Sequence, residues 1–297
     1  AKKEAYAAKP LPHIQAKDLR VDGARAFQML KDQVDIGGRP AGSENARRCA
    51  DYIAEKVRSF GFEPEIDEWT EETANGPLTF RNVYASWPGL PAAGEQFLLL
   101  GSHFDTKKMD EIPDFVGAND AASSTALLLE IMQVIASQEK WHALPLRFAF
   151  FDGEEAVVSY GEKDGLHGSK RLAASLKTQG QVKNCRAMIL LDMIGDKDLS
   201  ITLSRDTPGE LAELTIKTAA TLGMRERISY LPGAILDDHV PFARLGIPAI
   251  DLIDFRYGVD NEHWHTATDN LDNVSADSLQ MTGDLVLALI QNIQPKE

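Results

Sequence analysis

Two adjacent glutamates, Glu154 and Glu155, close the segment LPLRFAFFDGEEA, where an apolar run gives way to a turn. Like charges held side by side repel unless a cation or a shared proton absorbs part of them. The pair therefore points to one carboxylate on a metal and the other free to move protons. A lone acidic pair is more often a solvated loop, so the decision rests on what else the chain offers. Four further segments supply donors. QFLLLGSHFD brings His103 and Asp105 off a second apolar run, VGAND brings Asp120 to the head of an Ala/Leu-rich stretch, AMILLDMIGD brings Asp192 off a third run, and EHWHTATDN brings His265. Imidazole and carboxylate donors without cysteine form a set suited to zinc.

Residues so far apart in sequence need a scaffold that gathers them, and open α/β sheets gather ligand groups beyond the carboxyl ends of their strands. Helices frame these runs. Ser43 can cap SENARRCADYIAEKVRSFG, in which Cys49, Ile53, Val57 and Phe60 recur at helical spacing before Gly61 stops it. A buried helix is expected over 120–138 with Asp120 as its first residue, where the helix dipole would help hold the carboxylate ionised. TPGELAELTIKTAATLG reads as a helix with a capping box from Thr207 to Glu210 and Pro208 at its first position. A last helix runs from about Ala276 to Ile293.

In order along the chain, these motifs resemble the glutaminyl-peptide cyclotransferases and, more broadly, the two-zinc aminopeptidases related to them. The resemblance runs from GGRPAGS at Gly37 to the last helix. It makes 37–297 a catalytic domain, with 1–36 as an N-terminal extension whose first helix packs on it. The fold it implies is a three-layer α/β/α sandwich around a mixed, largely parallel sheet. Carried over by position, Asp120, Glu155 and His265 match the three ligands of a single zinc, and Glu154 matches its proton-shuttling acid/base. In the aminopeptidases His103 and Asp192 would hold a second zinc, with Asp120 bridging.

The segment AILDDHVPFARLGIP separates the two branches. Aminopeptidases typically carry Ser-Asp-His where this chain has Asp237-Asp238-His239, and the doubled Asp resembles the cyclases. The resemblance also makes Trp264 a wall of the glutamine pocket, puts Tyr160 at the position of a pocket tryptophan, and adds Ile235 to the lining. Asp192 and Asp237 become an acid network around Glu154. Asp251 stands where animal cyclases have a histidine, and Ser102 and Thr125 stand where those enzymes have a disulfide.

Plainer readings accompany each of these residues. Tyr160, Phe255 and Trp264 could be core aromatics, and His239 reads as a packing or supporting histidine beside Asp238. His263, two residues before His265, would share its face in an extended segment. His265 is preferred because Thr266, Asp269 and Asn270 could orient its ring. His13, His142 and His167 read as surface residues. Cys49 and Cys185 read as buried free thiols.

Composition sets the outer bounds. At 297 residues with 43% hydrophobic side chains, the chain can bury a large core, and it has no linker, repeat or charge block. A net charge of −14 disfavours nucleic acid and anionic membranes as partners. No run is long enough for membrane insertion. The opening AKKEAYAAKP is polar and begins without Met, which fits a mature chain after signal removal or a trimmed one, and a periplasmic or secreted location is what the family resemblance implies. The leading expectation is a zinc cyclase acting on peptides or proteins with N-terminal glutamine. A one- or two-zinc aminopeptidase is the alternative, and a catalytically dead binding domain ranks last because the ligand set and Glu154 are intact.

Overall fold

The strands of this computed structural model are β1 (Glu65–Thr73), β2 (Gly76–Trp87), β3 (Phe97–His103), β4 (Leu146–Phe151), β5 (Cys185–Asp192), β6 (Ile201–Leu203), β7 (Ile228–Tyr230) and β8 (Ala249–Ile253). The structure describes residues 19–296 apart from 114, 140, 142 and 162, so His13 and His142 lie outside the described residues. One sheet joins the strands in the order β1-β2-β4-β3-β5-β8-β6-β7. Its middle, β4-β3-β5-β8, is parallel throughout, while β1 and β2 add an antiparallel hairpin at one side. The sheet is mixed, as expected.

The helices are α1 (Gly23–Val34), α2 (Glu44–Ser59), α3 (Ser124–Ala136), α4 (His167–Thr178), α5 (Gly209–Thr221), α6 (Val240–Ala243) and α7 (Ala276–Asn292). Alternation along the strands splits the core in two. Leu98, Leu100, Phe148, Phe150, Ile189 and Leu191 face a layer built mainly from α1, α2, α3 and α7. Leu99, Phe151, Met188 and Leu190 face α4 and α6 through Leu172, Leu176 and Phe242. Because both faces are covered, β3, β4 and β5 are buried along their whole length. Each Leu, Ile or Phe buried there contributes roughly 1.5–3 kcal/mol, which keeps the strand ends rigid enough to carry a site. No helix among the described residues is long and apolar enough to cross a membrane.

Local signals came out unevenly. Ser43 caps α2 by accepting the Ala46 N–H at 3.0 Å, and Gly61 follows the helix at φ +90°. Asp120 corrects the expectation of a helix beginning there. It lies in a π-helical turn, Ala118–Ser123, at non-helical φ −107° and ψ 86°, and α3 starts only at Ser124. The capping box before α5 is also absent: Pro208 is the N-cap rather than the first helical residue, no side chain caps the helix, and Glu210 pairs with Arg186 instead. His167 is buried at the start of α4 rather than on the surface, with its ring 4.6 Å from that of Phe80 and its Nδ1 against Glu71. Cys49 and Cys185 are buried and free. Ser102 and Thr125, at the positions where the resemblance implies a disulfide, form a hydrogen-bonded pair 3.1 Å apart.

Candidate active site

The carboxyl ends of the four parallel strands bring the chemistry-bearing residues together. β3 ends on His103, β5 ends on Asp192, Glu154 and Glu155 follow β4 by three and four residues, and Asp251 lies within β8. Asp120 arrives from the π-helical turn. His265 arrives from a run of turns at φ +53°, so its segment is not extended and His263 does not share its face. His263 points to Thr268 Oγ1 at 2.8 Å and packs against Tyr257.

Asp120, Glu155 and His265 each direct one donor atom into a common volume, with these atoms within 4.8 Å of one another. His265 Nε2 is 2.9 Å from Glu155 Oε1 and 3.3 Å from Asp120 Oδ2. Burial alone would lower the imidazole pKa, yet hydrogen bonds and charge from the two carboxylates raise it to about 10. The trio thus calls for a positive charge between its members. Glu155 Oε2 makes no hydrogen bond among the described residues and has only Lys107 Nζ, 3.4 Å away, as an ionic neighbour. This is a donor set that fits a divalent cation.

A second group shares Asp120. His103 Nε2 lies 3.3 Å from both Asp120 Oδ1 and Asp192 Oδ1, and its Nδ1 lies 3.4 Å from Asp105 Oδ1. Further along the sheet, Asp237 and Asp251 are buried against each other. Burial raises the pKa of both carboxyls well above the ordinary range, and the charge of Asp192 adds to this. Carboxyls packed so closely hold protons between them. His239 is buried beside them, its Nδ1 3.8 Å from Asp251 Oδ2. Asp238, its neighbour, takes a hydrogen bond from Ser169. Glu154 is likewise pushed well above its usual range, first by burial and then by Glu155, Asp238 and Asp192, against the pull of His103.

The trio and the acids open on a cavity of ≈300 Å³ lined by Glu154, Tyr160, Ile235, Phe255 and Trp264 among others. That volume suits one amino-acid side chain in a mostly apolar recess. Trp264 stacks on His265 with ring centroids 4.2 Å apart, and Phe115 meets the same imidazole edge-on. Two larger clefts, one beside Trp69 and Arg171 and one beside Asp198 and Arg227, carry none of these groups.

Several residues to which sequence reading gave other roles or none hold this arrangement in place. Asp105 accepts the backbone N–H groups of both Glu154 and Glu155, at 3.0 and 3.2 Å. Asp269 accepts those of Asn119 and Asp120 and the Tyr257 hydroxyl. It therefore fixes the Asp120 turn and does not orient His265, which corrects the expectation for the TATDN segment. Thr266 and Asn270 likewise bond to nearby backbone carbonyls. Arg39, fully buried, donates to the carbonyls of Phe104, Val116 and Gly117, joining the GGRPAGS segment to the strand that ends on His103 and to the turn before Asp120.

The family model described as "Peptidase family M28" matches residues 82–290, which span all of these groups except Arg39. The chain is 31% identical to the glutaminyl-peptide cyclotransferase-like protein of Mus musculus, over 80% of this chain and 67% of the mouse protein. The crystal structure of an Acidobacteriales bacterium glutaminyl cyclase superposes with a TM-score of 0.85 at 31% identity and covers 99% of each chain. A leucine aminopeptidase precursor from Bacteroides thetaiotaomicron also superposes, with a TM-score of 0.80 at 26% identity over 92% of this chain and 98% of that one. Ordered motifs, full-length overlay and sequence identity agree: the chain belongs to peptidase family M28, within its glutaminyl-peptide cyclotransferase branch.

Proposed function

We propose that this protein converts the N-terminal glutamine of peptides or proteins to pyroglutamate, releasing ammonia, with Asp120, Glu155 and His265 as the ligands of one zinc ion. Bound there, zinc supplies Lewis-acid polarisation of the glutamine γ-carbonyl. Glu154 takes a proton from the α-amine as that nitrogen bonds to the γ-carbonyl carbon, then gives it to the side-chain amide nitrogen as the old C–N bond breaks. Atoms balance as one ammonia lost. Asp192 and Asp237, with Asp251 behind them, hold shared protons that steady Glu154 and meet the departing nitrogen. Trp264, Ile235 and Tyr160 enclose the glutamine side chain. A chain exported to the periplasm or beyond would meet such peptides there.

The observation that carries this reading is the buried Asp237 lining the cavity, with buried Asp251 behind it, since the aminopeptidase pattern lacks an acid at the first of these positions. One arrangement also fits a second reading. His103, Asp120 and Asp192 form a further donor group that shares Asp120 with the first, as a two-zinc aminopeptidase requires. A mass-resolved assay on Gln-initiated and Leu-initiated peptides decides between them. Cyclisation leaves the first peptide lighter by one ammonia and the second untouched; release of free leucine would move the assignment to the aminopeptidase.

A further inference from the structure

Tyr160 is held more firmly than a pocket wall requires. The loop that carries it folds back on Asp164, whose carboxylate accepts the N–H groups of Val157, Val158, Ser159 and Gly165 at 2.7 to 3.0 Å. The Tyr160 ring lies over Gly165, where an added Cβ would sit 2.7 Å from ring carbon Cδ1, so only glycine leaves room for it. Lys107 Nζ is 5.5 Å from the ring centroid on the side of Glu155. From this seat the phenol donates a hydrogen bond of 2.6 Å to Glu154 Oε1. That distance lies at the short end of the range for O–H···O bonds, about 2.5–3.0 Å, so the contact is closely made.

An acid/base that serves two nitrogens in turn must keep one oxygen fixed and offer the other. A glutamate side chain has three torsions to hold, and the backbone bond from Glu154 to Asp105 restrains none of them. We propose that the Tyr160 hydroxyl is a positioning residue for the cyclisation, anchoring Glu154 Oε1 so that Oε2 alone faces the substrate nitrogens. The tryptophan that the family resemblance puts at this position has no hydroxyl. The anchor is thus a feature of this chain and adds a role to the ring's part in lining the cavity. The inference rests on the cyclase reading above.

Tyr160→Phe keeps the ring, its contact with Gly165 and the cavity shape while deleting the anchor. Measured on a Gln-initiated peptide with the zinc-loaded enzyme, kcat should fall by roughly 10–100-fold, the scale on which a misaligned reacting group loses rate. KM should stay within about two-fold, because ground-state binding is untouched. Zinc content and melting temperature, read on the same sample, should match wild type. A kcat within about two-fold of wild type would overturn the proposal, as would a loss carried wholly by KM, which marks a hydroxyl that binds substrate instead. Wild-type enzyme that releases no ammonia would defeat the cyclase reading itself, an outcome distinguishable from an active wild type with an equally active Tyr160→Phe.

Discussion

Glu154 and Glu155 are neighbours in the chain and yet face different partners, the phenol of Tyr160 and the imidazole of His265. The division of labour read from their adjacency predicts the outcome of two substitutions. Glu154→Gln should retain zinc, since the trio is intact, while turnover falls on the order of 10²–10⁴-fold with the loss of general acid/base catalysis. Metal analysis beside a steady-state assay checks both halves, and near-normal turnover sinks the role. Asp237→Asn should abolish ammonia release from Gln-initiated peptides with zinc still bound, because an amide next to Asp251 cannot take part in the shared-proton network. Surviving cyclisation in that variant would make Asp237 a plain loop acid. His103, Asp192, Glu154 and Glu155 were legible in the sequence because apolar runs lead into them, whereas Asp120 and His265 were reached through the family motifs. Asp105 and Asp269 were not assigned these roles, because a carboxylate that accepts backbone N–H groups carries no mark of residue type or spacing.

At the scale of elements, the delivery of Asp120 differs from the helix-start geometry expected for it. A π-helical turn throws its side chain toward His265, and Asp269 grips the turn from the far side. Gly117, at φ +53°, precedes this turn, and a Cβ there would lie 2.0 Å from the Asp120 carbonyl oxygen. Gly117→Ala should therefore displace Asp120, weakening zinc binding and lowering the melting temperature together. An isothermal titration with zinc that matches wild type would refute this. Ser43→Ala probes a milder device: loss of the α2 cap should cost about 1 kcal/mol in chemical denaturation. Helices α2 and α7 were readable from period and caps. The Thr207 box was misread because its hydroxyl turns back to Ser204, 3.3 Å away, a choice the local pattern does not encode.

Across the whole molecule, carboxylates gather at one end of the sheet faster than cations do. Burial raises both Asp238 and Asp269 to about 7, with neighbouring acids contributing. A carboxyl raised in the folded state binds its proton more tightly there than in the unfolded chain. Its stabilising contribution is complete below the ordinary carboxylate range and is lost as pH rises through about 7. A bound cation offsets that loss. Chelation should therefore lower the melting temperature, and lower it further at about pH 8 than at about pH 6. Calorimetry with and without chelator reads this directly, and an equal drop at the two pH values would contradict it.

The same surplus of acid recurs on the outside. Among the described residues strand β1 is the outermost strand beyond β2 and carries Glu65, Asp67, Glu68, Glu71 and Glu72 along nine residues, and the opposite margin, β7, is only three residues long. Unpaired strand margins invite a second chain to extend the ladder, and natural proteins deter this with charge or brevity. Here each margin uses one of those deterrents. Arg171, Arg81 and His167 meet Asp67, Glu68 and Glu71, yet Glu65 and Glu72 leave the margin with surplus negative charge, so two molecules meeting β1 to β1 repel at low salt, whereas acid or high ionic strength weakens the barrier to edge-on stacking.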